Sequence, residues 1–156
     1  MDSNPDLDGS NLTLAIVVAR FNESVTSRLL EGARKAIEQH AVRNNAVFWV
    51  PGAFELPLVV KTLAQTGRYD AVICLGAVIR HETDHYLHIA TQAAAGIQQA
   101  ALDTGVPCLF GVLTCDTEEQ ALARAGGSRG NKGFDAVEYA IETANLLRSI
   151  SSQTSA

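Results

Sequence analysis

Four short apolar runs rich in β-branched residues mark the chain: Leu12 to Ala19 (LTLAIVVA), Ala46 to Val50 (AVFWV), Ala71 to Leu75 (AVICL, continuing towards Ile79) and Val106 to Leu113 (VPCLFGVL). Each is followed by a longer stretch whose apolar positions recur at helical spacing. Between the first two runs, Leu29, Leu30, Ala33, Ala36 and Ile37 fall on one helical face, and Arg28, Glu31, Arg34, Lys35 and Glu38 on the other. Near-continuous apolar strands alternating with amphipathic helices predict a parallel sheet covered on both faces, because a half-exposed strand would alternate apolar with polar residues. The expected fold is an α/β three-layer sandwich of flavodoxin-like kind, with a mainly four-stranded parallel sheet flanked by helices.

Helix ends are legible as well. Thr117-Glu118-Glu119-Gln120 fits a capping box. Thr83 or Asp84 is the expected N-cap of a helix running to about Asp103, and a last helix is expected from about Asn131 to Ile150. No repeat or low-complexity block divides the chain, so one domain is expected over residues 12–151, with loose tails at 1–11 and 152–156.

Composition narrows the functional classes. At 156 residues, 47% hydrophobic and 19% charged, the chain has enough apolar material for one real core. A net charge of -5 with 12 Lys plus Arg supplies no excess positive field, which argues against a nucleic-acid partner. The apolar runs are shorter than the roughly 18 residues that a membrane helix needs. The opening MDSNPDLDGSN is acidic and polar and does not read as a secretion signal. Cys74, Cys108 and Cys115 lie in or beside apolar runs, which suits reduced thiols in a soluble, cytoplasmic protein.

In open α/β sheets, ligands bind outside the carboxyl ends of the strands. The segments there are unusual. The first strand leads into Arg20-Phe21-Asn22, the second into Pro51-Gly52-Ala53-Phe54-Glu55, the third into Gly76 through His85, and the fourth into Thr114-Cys115-Asp116. Phe21 and Phe54 either plug the ends of the core or stack on a flat heterocycle whose edge the neighbouring backbone reads.

Within the third segment, HETDH (His81 to His85) satisfies the zinc-protease pattern H-E-x-x-H. That chemistry needs both histidines on one helical face, four residues apart, with a third ligand beyond. A helix starting at Thr83 or Asp84 leaves His81 in the loop and His85 in the first turn. His88 stands where the extended pattern wants Gly, and Thr91 where it wants a ligand. A metal site is therefore not expected. The unpaired amides of a helix N-terminus instead suit an anion. Backbone N–H groups near Glu82 and Thr83, with the Thr83 hydroxyl, would receive a phosphate if Glu82 and Asp84 turn outward and a cation contributes. Arg124 and Lys132, flanking the Gly-rich stretch from Ala125 to Asn131, are the candidates, the alternative being ordinary solvated surface charges. His85 lies at the same turn, and imidazole is the side chain suited to proton transfer near neutrality.

Taken together, ARFNE (Ala19 to Glu23), VPGAFELP (Val50 to Pro57), LGAVIR with TDH (Leu75 to Arg80, Thr83 to His85), FGVLT (Phe110 to Thr114) and ARAGGSRGNKG (Ala123 to Gly133) resemble the 6,7-dimethyl-8-ribityllumazine synthase family, over about Leu14 to Ile150. Each motif alone is weak, and their joint order is specific. The resemblance implies a transferase of riboflavin biosynthesis. It would condense 5-amino-6-(D-ribitylamino)uracil with 3,4-dihydroxy-2-butanone 4-phosphate, releasing phosphate and water, with no metal or organic cofactor. It also implies that Phe21 stacks on the pyrimidine, that Ala53, Phe54 and Glu55 hold the ring edge and ribityl chain, and that Ala77, Val78 and Ile79 add backbone hydrogen bonds. Glu82 and Thr83 would cradle the butanone phosphate together with Arg124, and Lys132 would stand near the phosphate. His85 matches the proton-transfer histidine, with Asp135 helping to orient it. Phe110 and Arg124 would come from a neighbouring subunit, since the family places its sites between subunits of a pentamer. The uninterrupted GGSRGNKG turn is similar to that of members forming an icosahedral sixty-subunit shell, and riboflavin synthase is an implied protein partner.

The chain departs from the family pattern at His81, where Gly is usual, and at Leu87 and His88. A Gly held there at positive φ would mean strain for His81. A lumazine or flavin carrier, or a chiefly structural shell subunit, is the competing reading. A generic flavodoxin-like redox module is disfavoured, since neither a phosphate loop after the first strand nor a G-x-G-x-x-G appears.

Overall fold

The computed structural model describes residues 2–154. Within them β1 (Thr13–Ala19), β2 (Asn44–Val50), β3 (Ala71–Ile79) and β4 (Cys108–Cys115) form one parallel sheet in the order β2-β1-β3-β4. Helices α1 (Glu23–Gln39), α2 (Leu56–Gln65), α3 (His85–Thr104) and α5 (Lys132–Thr154) cover it. The short α4 (Glu118–Ala123) leads into a hairpin of β5 (Ala125–Gly127) and β6 (Gly130–Asn131). The three-layer α/β sandwich expected from the apolar runs is the one found.

Strand β1 shows why the runs read as continuous. Its side chains alternate between two covered faces. Leu14, Ile16 and Val18 enter one core with Leu29 and Ala33 of α1 and Ile141 of α5. Ala15, Val17 and Ala19 enter the other, with Leu56 and Val60 of α2 and Ile97 of α3. Burying each Leu or Ile contributes about 1.5–3 kcal/mol, so both faces of β1 hold the layers together.

Element ends differ from the sequence reading for local reasons. Strand β2 starts at Asn44, because pairing with Thr13 recruits Asn44 and Asn45 on an exposed edge that carries no hydrophobic signal. Strand β4 starts at Cys108, beyond Pro107, which has no N–H to give a ladder. Its pairing then runs on to Cys115, opposite Ile79. Asn131, expected to open the last helix, instead caps it: its Oδ1 accepts from the N–H groups of Gly133 (2.8 Å) and Phe134 (3.1 Å). The helix continues to Thr154, past the expected end at Ile150. Helix α3 stops at Gly105, whose left-handed backbone (φ 71) returns its N–H to the Ala101 carbonyl at 2.9 Å.

Capping at α4 follows the sequence with one shift. Thr117 Oγ1 accepts from the Gln120 N–H (3.1 Å), while Gln120 Oε1 accepts from the Asp116 N–H (2.9 Å), one residue before the partner that the box pattern names.

The segment read as a loose N-terminal tail is hydrogen bonded to the body. The Gly9 N–H reaches the His40 carbonyl (3.0 Å), the Asn145 amide reaches the carbonyls of Asp6 and Asp8 (3.0 Å each), and Leu7 packs on the core. Met1, Ser155 and Ala156, also assigned to tails, lie outside the described residues. No helix among the described residues is long and apolar enough to cross a membrane. Cys74, Cys108 and Cys115 are free thiols. Burial raises the pKa of Cys74 well above the ordinary thiol value and pushes that of Cys108 up to about 11.

Candidate active site

A cavity of about 720 Å³ opens at the carboxyl ends of β1, β2 and β3. Three connecting segments build its walls, each fixed by backbone bonds. After β1, the N–H groups of Arg20 and Phe21 donate to the carbonyls of Val50 (2.8 Å) and Pro51 (3.0 Å), which anchors Phe21 while leaving its ring 66% exposed. After β2, a 3-10 turn over Ala53–Glu55 buries Ala53 and presents Phe54, 59% exposed, on the rim. After β3, residues 80–84 lead into α3, whose first residue is His85.

The cavity lining includes Phe21, Ala53, Phe54, Glu55, Ala77, Val78, Ile79, Thr83 and His85, all of them expected from the sequence. Two exposed aromatics, an acidic side chain, a strand-end backbone, a hydroxyl and an imidazole face one space. Phe21 and Phe54 are largely exposed and line the cavity, so neither plugs the core. Glu82 is exposed and stands outside this lining set.

At the α3 N-terminus, position and hydrogen bond fall to different residues. Asp84 occupies the cap position but its side chain caps nothing. Thr83 Oγ1 accepts from the His85 N–H at 3.4 Å. His81 lies in the loop and His85 in the first turn, so the two histidines of HETDH do not share a helical face. His81 also has no positive φ, and the strain considered for a residue replacing Gly is absent.

Arg124 and Lys132 line a second cavity, of about 660 Å³, with Arg129, Asp116 and Asp135. The hairpin joins the two cations: the Lys132 N–H donates to the Arg124 carbonyl at 2.9 Å. The Arg124 guanidinium donates to the Gln120 carbonyl at 3.0 Å, and the Lys132 ammonium stands 6.0 Å from the Tyr139 ring centroid. Cys115 lines this cavity as well. Burial raises its thiol pKa, opposed by the nearby Arg124 charge and assisted by Asp116. Phe110 is on the edge strand β4, 37% exposed, and lines neither cavity. Asp135, expected beside His85, lies in the Arg124 cavity.

Within one protomer the structure therefore unites the aromatic and imidazole parts of the expected site and holds Phe110, Arg124 and Lys132 apart from them. Tyr86 lines both cavities. Sequence reasoning gave no role to Asn22, Tyr86 and Arg129. The signal for Asn22 is its residue type: in the loop between β1 and α1 it is the residue, other than Gly, that best tolerates a left-handed backbone.

A parallel sheet covered on both faces, with a cavity lined by Phe21 and Phe54 outside its strand ends, defines an α/β protein of the open-sheet class, whose ligand sites lie at that edge. The family model for 6,7-dimethyl-8-ribityllumazine synthase matches residues 11–148, and the chain belongs to that family. It is accordingly an enzyme, a transferase of riboflavin biosynthesis whose substrates are small molecules.

Proposed function

We propose that the protein condenses 5-amino-6-(D-ribitylamino)uracil with 3,4-dihydroxy-2-butanone 4-phosphate to give 6,7-dimethyl-8-ribityllumazine, within the domain spanning residues 12–151. The observation that carries this reading is the meeting of Phe21, Phe54, Glu55, the Ala77 to Ile79 backbone and His85 in one open cavity. Phe21 stacks on the pyrimidine; Ala53, Phe54 and Glu55 hold its edge and ribityl chain. Ala77, Val78 and Ile79 contribute backbone hydrogen bonds. Amides of Glu82 and Thr83 receive the phosphate together with Arg124 and, nearby, Lys132. Phe110, Arg124 and Lys132, which one protomer holds apart from its own His85 cavity, act on the site of an adjacent protomer in a pentamer or icosahedral shell, and riboflavin synthase is the proposed protein partner, in the cytoplasm.

The pyrimidine amine attacks the ketone carbon and water leaves to form an imine. Loss of the proton from the adjacent hydroxyl-bearing carbon then expels phosphate from the terminal carbon, and the resulting enol tautomerises to a ketone. The ribityl-bearing nitrogen closes on that ketone, and a second water departs. His85 carries protons to the departing oxygens. Amines and ketones condense readily, so orientation between the aromatic wall and the anion pocket supplies most of the acceleration.

The test is incubation of the purified protein with both substrates in the presence of a strong chelator, following the lumazine chromophore. Chromophore formation is expected. Tight binding of the product with no turnover would replace this reading with that of a carrier.

A further inference from the structure

Asn22 is one of two described residues other than Gly with positive φ (φ 64, ψ 47), a conformation that costs most L-residues about 1–2 kcal/mol. It also occupies the N-cap of α1, where an Asn side chain ordinarily accepts from the first turn, yet it makes no such bond. Its Nδ2 instead donates 2.8 Å across to the Ala77 carbonyl on β3. The backbone supplies the reason. Even-numbered residues of β3 turn to β4, as the bonds of Val72 to Pro107 (2.8 Å) and Arg80 to Cys115 (2.9 Å) show. Odd-numbered residues therefore face β1. Pairing of β1 with β3 ends at Val18 opposite Leu75, so the Ala77 carbonyl points to a side that β1 has left. The Asn22 amide takes the place of the missing ladder partner.

Both ends of this bond are in the cavity: Phe21, Asn22 and Ala77 all line it. From this geometry we propose that Asn22 is a positioning residue for the pyrimidine substrate. Its left-handed backbone turns the chain into α1 immediately after Phe21, and its amide locks that turn to the β3 backbone that reads the ring edge. The aromatic wall and the edge-reading strand are thus held at one spacing. The inference rests on the proposed function.

Two substitutions separate the parts. Asn22→Gly keeps the left-handed turn at no steric cost and removes only the amide. Asn22→Asp keeps the shape but faces the Ala77 carbonyl with an acceptor. Asn22→Gly is expected to raise KM for the pyrimidine about tenfold, the equivalent of one lost hydrogen bond, while KM for the phosphate-bearing substrate and the melting temperature stay near wild type. Asn22→Asp is expected to do more. If Asn22→Gly and Asn22→Asp leave the pyrimidine KM unchanged while the wild type makes product, the positioning role alone is overturned. An equal rise in both KM values overturns it too, since the bond would then be merely structural. A wild-type protein that makes no product overturns the functional reading and this inference with it.

Discussion

His85 and Arg124 line different cavities of the same protomer, with Tyr86 on the wall of each. If one site takes His85 from one protomer and Arg124 from its neighbour, the two residues are genetically separable. His85→Ala is expected to lower turnover about 10²-fold, the low end of general acid–base contributions. Arg124→Ala is expected to raise KM for the phosphate-bearing substrate by about tenfold or more, as the loss of a charge-assisted contact should. When the two variants are co-assembled, random mixing around a head-to-tail ring restores about one site in four. Activity of the mixture no higher than the average of the separate variants would refute the shared site.

Gly133 sits where α5 meets α1, and a Cβ there would collide with the Leu29 carbonyl, which is backbone and cannot swing away. Gly133→Ala is expected to destabilise by about 1–3 kcal/mol, in the range of core overpacking. Because Gly133 follows Lys132, activity with the phosphate-bearing substrate should fall as well. A urea midpoint equal to that of wild type would show that the helices separate without cost.

Thr26 is fully buried in α1 and its Oγ1 has no hydrogen-bond partner among the described residues. Thr26→Val keeps the shape and removes the unsatisfied hydroxyl, so a gain of about 1 kcal/mol is expected. Chemical denaturation measures it, and a loss of stability would mean that the hydroxyl is satisfied in solution.

Cys108 is held neutral by burial, with its pKa at about 11 against an ordinary 9.0. A folded-state pKa above the unfolded one means stability that is whole below pH 9.0 and declines as pH rises towards 11. Wild type should therefore lose more stability than Cys108→Ala between pH 8 and pH 10.5. At pH 8 the thiolate fraction of Cys108 is about a hundredfold below that of an ordinary thiol. Iodoacetamide should label it slowly in the native protein and fully in denaturant, as read by mass spectrometry. Equal labelling in both states would contradict the shielding.

The legibility of this protein varied with how local the governing physics is. Strand β1, buried on both faces, announced itself by an unbroken apolar run, whereas the start of β2 at Asn44 depends on pairing with Thr13 and left no mark in composition. Thr83 and Asp84 were recognisable as helix starters, but which supplied the oxygen depended on loop geometry. The HETDH match dissolved because the helix begins at its last residue.

Apolar periodicity, helix starters and the placement of Phe21, Phe54 and His85 just beyond strand ends are properties of neighbouring residues, so the α/β layering and most of one cavity could be read along the chain. The separation of Arg124 from His85 and the span from Asn22 to Ala77 join positions remote in sequence. They arise from how far β1 runs beside β3 and from where the hairpin after α4 comes to rest, which packing of the whole domain determines.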